Sequence, residues 1–173
     1  MQLKEAVELI DNNFVAGANK QIWTDLGSGT GTFTKALATL LPENSLIYAV
    51  DKSGEDLNKI PSRYKSIIIE KIQVDFTRQK LSRNLDGILM ANSLHYIKEK
   101  DLFIRKMEIH LKKKGCFLIV EYDTEISNSW VPFPINYNSL EKLFEKEGYK
   151  AKKLKEKPSV YRRENIYSAL IKR

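Results

Sequence analysis

The stretch Gln21-Ile-Trp-Thr-Asp-Leu-Gly-Ser-Gly-Thr-Gly-Thr-Phe-Thr34 decides the fold of this chain. In it an apolar run ends in an acid, three glycines follow at every second position, and a helical pattern begins directly afterwards. Gly27, Gly29 and Gly31 predict a tight turn, because glycine adopts positive φ and has no Cβ between its backbone and a ligand. The N–H groups at the start of the helix would face that ligand. The stretch therefore predicts a strand, a turn and a helix that together bind a nucleotide-like molecule.

The spacing of the glycines separates three kinds of loop. A Walker loop needs a lysine directly after its last glycine, and none stands at that spacing here. The dinucleotide fingerprint Gly-x-Gly-x-x-Gly would need a glycine at Thr32. The pattern Asp25-x-Gly27-x-Gly29-x-Gly31 resembles the first motif of the class I S-adenosylmethionine-dependent methyltransferases. A plain tight turn is the alternative that this motif alone leaves open.

A second apolar run, Leu46–Val50, ends in Asp51. A carboxylate at a strand end in this fold can accept hydrogen bonds from both ribose hydroxyls of an adenosine. The alternative is a helix N-cap or a surface acid before Lys52. The sequence predicts that Asp51 and Lys52 belong to the cofactor site.

A third run, Ile67–Val74, ends in Asp75 and Phe76. In the methyltransferase family an acid at this place binds the adenine amino group, and the backbone N–H of the next residue meets the ring. The resemblance therefore adds this pair to the cofactor site. The residues predicted to bind the cofactor are Asp25, Gly27, Ser28, Gly29, Gly31, Asp51, Lys52, Asp75, Phe76 and Asn92.

The fourth strand, Leu85–Ala91, leads into Asn92-Ser-Leu-His-Tyr96. This segment resembles the fourth motif of small-molecule methyltransferases, whose strand end borders the methionine part of the cofactor and the acceptor. It lacks the two prolines of the enzymes that methylate nucleobase amino groups, because Leu94 and His95 stand in their place. Because histidine is the most common general base near neutral pH, His95 is the candidate catalytic base. A structural hydrogen-bond partner is the alternative for this histidine.

The acceptor is expected at the loop from Tyr122 to Tyr137, which follows the fifth strand. Two prolines stiffen this loop, and long ordered loops of this kind often cover sites. Its aromatic residues could instead pack the last helix against the sheet. The residues predicted to bind the acceptor are Tyr96, Glu121, Tyr122, Trp130 and Phe133. No metal site is predicted.

Apolar runs alternate with helical patterns along the whole chain, which predicts a parallel sheet covered by helices. The resemblance implies a Rossmann-like, doubly wound α/β fold with helices on both faces, in one domain over residues 1–173. It also implies a mostly parallel seven-stranded sheet whose last strand is antiparallel. Locally, we expect a helix from Lys98 to Lys112, a strand over Cys116–Val120, a capping box at Asn138 and Glu141, and strands over Tyr149–Leu154 and Ile166–Ile171.

The net charge of +7 is placed unevenly along the 173 residues. Residues 150–173 hold nine basic and two acidic side chains, which accounts for the whole excess. Lysines on an edge strand prevent pairing with another chain, and this is the favoured interpretation; an RNA-binding surface is the alternative. The single cysteine, Cys116, is expected to be a small buried hydrophobe. The sequence shows no signal peptide or membrane span, so a cytoplasmic location is expected.

The sequence thus predicts an enzyme that transfers the methyl group of S-adenosylmethionine to a small molecule and releases S-adenosylhomocysteine. An RNA methyltransferase and a non-catalytic protein that keeps the cofactor fold remain as alternatives. A nicotinamide-dependent oxidoreductase is disfavoured by the glycine spacing. The oligomeric state stays open.

Overall fold

The computed structural model describes residues 1–77, 84–159 and 164–173, which form one mixed sheet with helices on both faces. The strands are β1 (Ile22–Leu26), β2 (Leu46–Asp51), β3 (Arg63–Tyr64), β4 (Ile67–Gln73), β5 (Leu85–Ala91), β6 (Leu111–Tyr122), β7 (Lys150–Pro158) and β8 (Asn165–Lys172). The helices are α1 (Leu3–Ile10), α2 (Thr32–Leu40), α3 (Gly54–Asn58), α4 (Lys100–Glu108) and α5 (Tyr137–Lys146), with a 3-10 turn over Leu94–Tyr96.

The strand order across the sheet is β3-β4-β2-β1-β5-β6-β8-β7. Strands β4, β2, β1, β5 and β6 run parallel to one another, and β8 runs antiparallel to both of its neighbours. The predicted Rossmann-like α/β fold with an antiparallel last strand is therefore confirmed. From β1 the chain first builds the sheet outward on one side and then crosses to β5 on the other. Ligands of such sheets bind beyond the carboxyl ends of the strands at this switch point.

The described sheet has eight strands rather than the predicted seven, because β3 forms a short edge strand. It pairs antiparallel with β4, so that Tyr64 lies opposite Ile67. Lys65 adopts a positive φ of 52° in the tight turn between them. Two residues are too few to show the period-two alternation by which a strand is recognised in a sequence.

Side chains of the central strands alternate between the two faces of the sheet, and each face has its own apolar core. In β6, Leu118 and Val120 join the core beneath α1 and α2, whereas Phe117 and Ile119 join the core beneath α4 and α5. Cys116 is fully buried, as expected, and burial raises the pKa of its thiol.

The predicted boundaries around α4 and β6 are wrong. Helix α4 ends at Glu108, and β6 already begins at Leu111, where Leu111 pairs with Leu85 before an irregularity shifts the register to Gly87 and Cys116. The three lysines after Leu111 are therefore part of a strand, and Lys112 forms an ion pair with Asp86 (2.7 Å). An exposed lysine run carries no apolar alternation from which a strand could be predicted.

The predicted capping box at Asn138 is also wrong, because α5 begins two residues earlier. The side chain of Asn136 caps the helix by accepting a hydrogen bond from the Ser139 N–H (2.8 Å). Gly148 ends the helix region with a φ of 78°, as its position predicts. None of the described helices is long and apolar enough to cross a lipid bilayer.

Candidate active site

The glycine turn is fixed between the ends of β2 and β5. The N–H groups of Gly27 and Ser28 both donate to the carbonyl of Val50 (2.8 and 3.1 Å). Gly27 has a φ of 78°, and a Cβ built on it would lie 2.6 Å from the Cβ of Ser93. The Ser93 hydroxyl donates to the carbonyl of Leu26 (2.6 Å). This close approach explains why the turn needs a glycine at its first position.

The same turn is open at its tip. A Cβ built on Gly29 would meet nothing within 4 Å, so the backbone there borders unfilled space. Two polar atoms near this edge, Ser28 Oγ and Asn92 Oδ1, are buried and have no hydrogen-bond partner within the described residues. Buried polar atoms are normally paired, so these two indicate a ligand that supplies the missing bonds. The residues present fit the cofactor predicted from the sequence.

Asp51 ties the tip of the turn to the end of β2. One of its carboxylate oxygens accepts from the Gly29 N–H (2.8 Å), and the other accepts from the Ser53 N–H (2.9 Å). A carboxylate has about four acceptor positions, which leaves capacity for ribose hydroxyls. The neighbouring Lys52 side chain is exposed at the same edge.

Asp25 supports the turn from inside the protein. Its side chain is buried and accepts a hydrogen bond from the Thr34 hydroxyl in the first turn of α2 (2.6 Å). Burial raises the pKa of this carboxyl to about 7; the bond from Thr34 opposes the shift, and the charge of Asp51 adds to it. The acid that opens the motif thus connects the end of β1 to α2.

Asp75 and Phe76 follow the end of β4 and lie on the same side of the switch point. An Asp75 carboxylate oxygen accepts from the backbone N–H and the hydroxyl of Thr77 (3.0 and 2.6 Å). The Phe76 ring packs edge-on against Phe103, and one of its atoms would lie 3.4 Å from a Cβ on Gly27. The structure therefore brings the third predicted strand end against the glycine turn.

His95 and Glu121 form a buried pair across the ends of β5 and β6. His95 Nδ1 lies 2.7 Å from Glu121 Oε2, and the His95 N–H donates to the other carboxylate oxygen (3.1 Å). A carboxylate partner favours the tautomer with the proton on Nδ1, which leaves Nε2 as a proton acceptor. Glu121 is only 1% exposed, so this carboxylate, expected on the acceptor side, is instead bound to the histidine.

The loop after β6 is fastened to the same 3-10 turn. The Phe133 N–H donates to the carbonyl of His95 (3.0 Å). The Lys100 ammonium donates to the carbonyls of Ile97 and Phe133 (2.8 and 2.7 Å). Burial lowers the pKa of Lys100, and the charge of Glu121 opposes that shift. The loop is thus fastened to the histidine segment by one backbone hydrogen bond and by the Lys100 side chain.

The predicted acceptor residues occupy different environments. Trp130 is 76% exposed, Tyr96 is 53% exposed and Phe133 is 36% exposed. Tyr122 borders a separate cavity on the α1 side of the sheet. Tyr137 packs edge-on against Tyr167, which agrees with the packing alternative for that one aromatic residue.

The residues that sequence reasoning missed are connecting residues. Thr34 and Ser93 stand near motif residues, one in the helix after the glycine turn and the other just after a strand. These positions are the signal from which their hydroxyls could have been predicted to form buried hydrogen bonds. Lys100 gives no local signal, because its partner Phe133 lies 33 residues away in the chain.

The methyltransferase domain family matches residues 20–169 of the chain. No curated protein matches its sequence.

Several solved structures share the fold. One is the 1,6-didemethyltoxoflavin-N1-methyltransferase of Burkholderia thailandensis with its substrate and S-adenosylhomocysteine bound: 13% identity, TM-score 0.75, 98% of this chain and 77% of that chain covered. Another is a methyltransferase dependent on S-adenosylmethionine from Aquifex aeolicus: 16% identity, TM-score 0.67, 100% of both chains covered. A third such enzyme, from Leishmania major, has 16% identity and a TM-score of 0.73 and covers 97% of this chain and 70% of that chain.

At these identities the likeness to solved structures shows the shared fold. The family match extends from just before β1 into β8 and so includes every strand end described above. It confirms the enzyme class that the glycine spacing and the strand-end acids predict. The chain belongs to the methyltransferase domain family.

Proposed function

We propose that this protein transfers the methyl group of S-adenosylmethionine to a small-molecule acceptor. The observation that carries the proposal is the pair of unpartnered buried atoms, Ser28 Oγ and Asn92 Oδ1, beside the open backbone at Gly29. These three groups follow the ends of β1 and β5, the two neighbouring strands between which the strand order reverses. Ligands of open α/β sheets bind at this place.

The cofactor residues divide by the part of the ligand that each would hold. Asp51 would accept hydrogen bonds from the ribose hydroxyls. Asp75 and the backbone of Phe76 would meet the adenine. The glycine turn and Ser28 would hold the methionine part, and Asn92 would lie where the methionine part borders the acceptor.

Methyl transfer needs little chemistry from the protein, because the bound cofactor supplies a methyl group that is already activated. The chain's own residues must align the acceptor and exclude water, and orientation of this kind contributes up to about 7–11 kcal/mol. The fastened loop around Phe133 closes one side of the crevice. His95 would take a proton from the acceptor on Nε2, because Glu121 holds its other nitrogen.

The contacts of the basic carboxyl-terminal region favour a small acceptor over RNA. Lys153 forms ion pairs with Asp123 and Glu156 (3.4 and 2.8 Å), and Lys157 pairs with Glu5 (2.7 Å). Cations that are already paired release fewer counterions from a nucleic acid. Tyr161, Arg162 and Arg163, which belong to the same basic region, lie outside the described residues.

Calorimetry with S-adenosylmethionine, S-adenosylhomocysteine and NAD tests the cofactor assignment. We expect binding of both adenosyl compounds and none of NAD. Binding of NAD alone would refute the proposal. Release of S-adenosylhomocysteine in the presence of a small acceptor would establish turnover and separate an enzyme from a non-catalytic binding protein.

A further inference from the structure

A cavity of about 120 Å³ lies on the α1 side of the sheet's carboxyl edge. Its polar and apolar walls include Glu5, Asn92, Tyr122, Lys157, Ser159 and Ile166. Of the ten residues predicted to bind the cofactor, Asn92 is the one that borders it. The cavity therefore borders the predicted cofactor site at Asn92, and its lining residues stand at the ends of β5, β6 and β7 and at the starts of β8 and α1.

A pair of opposite charges stands in the wall of this cavity. The Lys157 ammonium donates to one oxygen of the Glu5 carboxylate (2.7 Å), and the other oxygen accepts from the Gln2 N–H (2.9 Å). Both side chains are about one-third exposed, at 27% and 32%. An ammonium has three N–H donors, and in the described part of the chain Lys157 uses one. It can therefore bind a second anionic oxygen beside that of Glu5.

Another lining residue, Asn92, carries an unsatisfied acceptor. Asn92 Oδ1 is buried and has no hydrogen-bond partner among the residues described. Leaving a buried acceptor unpaired is costly, so a ligand that donates an N–H or O–H here is favoured over one that does not. The lining of the cavity thus combines an unpaired hydrogen-bond acceptor with a cation that has spare donors.

The size of the cavity limits what it can enclose. An apolar cavity of about 150 Å³ binds benzene, which has six heavy atoms, so a cavity of about 120 Å³ encloses roughly five heavy atoms. A purine base has about ten and would not fit. The amino and carboxylate groups of a small amino acid, with the carbon between them, do fit, and they match the acceptor of Asn92 and the cation of Lys157.

We propose that this cavity binds the amino-carboxylate group of a small amino acid, which is the methyl acceptor. The amine donates an N–H to Asn92 Oδ1, and the carboxylate accepts from Lys157. This inference rests on the proposed function and names its substrate class. In the transfer, the lone pair of the neutral amine forms a new N–C bond to the methyl carbon as the C–S bond of S-adenosylmethionine breaks. The bonding electrons stay on the sulfur, giving S-adenosylhomocysteine, and the methylated nitrogen loses one proton to water, which passes it to His95.

The methionine end of the cofactor has the same amino-carboxylate chemistry, so the experiment must distinguish the two sources. With S-adenosylmethionine present, glycine and alanine are offered as acceptors, methylamine as a probe without the carboxylate, and acetate as a competitor without the amine. We expect N-methylated glycine or alanine by mass spectrometry, with kcat/KM at least about tenfold above that of methylamine. Acetate should inhibit competitively against the amino acid.

Two substitutions in the charge pair should act in opposite directions. Lys157→Met should raise KM for glycine by about tenfold or more, because it removes the cation that holds the carboxylate. Glu5→Gln should lower KM severalfold, because it removes the competing carboxylate. Lys152→Met, an exposed lysine on the same strand, is the matched control and should change neither value. A purely structural role of the pair would not produce opposite changes.

Three results would overturn the inference. Failure of both amino acids to be methylated by a protein that binds S-adenosylhomocysteine would refute the acceptor class and leave the proposed function standing. A loss of S-adenosylhomocysteine affinity in Lys157→Met, with KM for glycine unchanged, would assign the cavity to the cofactor. Equal kinetic effects of Lys157→Met and Lys152→Met would remove Lys157 from the site. Failure of the unaltered protein to bind either adenosyl compound would instead refute the proposed function.

Discussion

The two halves of the carboxyl edge are built in different ways. In the cofactor half, the contacts are made by backbone groups and short acids within a few residues of a strand end, as with Gly29 and Asp51. In the half that we propose binds the acceptor, here called the acceptor half, side chains distant in sequence meet: His95 and Glu121 are 26 residues apart, and Glu5 and Lys157 are 152 apart. Where a ligand is bound by backbone N–H groups, a substitution leaves those donors in place, so the kind of ligand is kept. A site made of side-chain pairs can change its ligand when one partner changes.

The strongest test of this difference is the pair Gly27→Ala and Gly29→Ala. Both residues have positive φ, which costs a non-glycine residue about 1–2 kcal/mol, but only a Cβ on Gly27 would collide with Ser93. Overpacking adds about 1–3 kcal/mol, so Gly27→Ala should lower the free energy of unfolding by about 2–5 kcal/mol in total. Chemical denaturation of both variants measures this. Equal losses of stability would mean that the turn relaxes away from β5 and that the two halves are not in firm contact.

Asp51→Ala should weaken S-adenosylhomocysteine binding by about 1.5–3 kcal/mol, the worth of a charge-assisted hydrogen bond. Part of the loss would come from the freed Gly29 N–H, since the carboxylate also orders the turn. Titration calorimetry gives the affinity, and Asp11→Ala, at an exposed acid after α1, is the control. Unchanged affinity would show that Asp51 is only a structural acid.

Asp25→Asn should change how stability depends on pH. In the folded protein the pKa of this carboxyl is raised to about 7, so the folded state holds its proton more tightly than the unfolded state does. Its stabilising contribution is therefore complete below about pH 4 and is lost as the pH rises toward 7. Relative to the unaltered protein, Asp25→Asn should gain stability by on the order of 1–2 kcal/mol between pH 5 and pH 7. Denaturation curves at several pH values check this, and a constant difference across the range would contradict it.

Trp130→Ala probes the acceptor half with a smaller expected effect. Because the side chain is 76% exposed, its removal should change stability by less than about 0.5 kcal/mol. If Trp130 contacts the acceptor, turnover should fall while the affinity for S-adenosylhomocysteine stays the same. A drop in melting temperature would place Trp130 in the core instead, and unaltered turnover would remove it from the acceptor site.

The smallest effect is expected from charge reversal of Lys150, Lys152 and Lys155, which are exposed on the edge strand β7. These lysines lie outside both halves of the site, so methylation should proceed nearly unchanged. Binding to RNA should be weak and should be lost near 0.15 M salt, because non-specific contacts to phosphates depend on counterion release. Tight RNA binding that survives this salt concentration and disappears in the triple variant would favour the RNA alternative.

The sequence predicts the cofactor half of the edge better than the acceptor half, for a physical reason. Asp25, the glycines and Asp51 stand within a few residues of strand ends in the sequence, so a local pattern predicts where they lie in the fold. The pairing of His95 with Glu121 depends on β6 lying beside β5, which no local pattern contains. Glu121 could be placed at a strand end but not assigned to its partner.

The fold class, the mostly parallel sheet and the antiparallel last strand were predicted, but the details of the sheet were not. The alternation of apolar runs and helical patterns indicates the central parallel strands, because those strands are buried on both faces. The two-residue β3 and the lysine-rich start of β6 have no such pattern. The cap of α5 shows a related limit: Asn136 and Asn138 are equally suitable by residue type, and packing of the preceding loop decides between them.

Ser93 has a consequence for protein engineering. Its hydroxyl holds the end of β1 and its Cβ faces Gly27, while the next residues form the 3-10 turn that carries His95. It is thus the last residue of this segment whose side chain is constrained by contact with the glycine turn. A transplanted acceptor segment should therefore begin after Ser93 and not before it. Grafts that respect this boundary would exchange substrate recognition and keep the cofactor machinery intact.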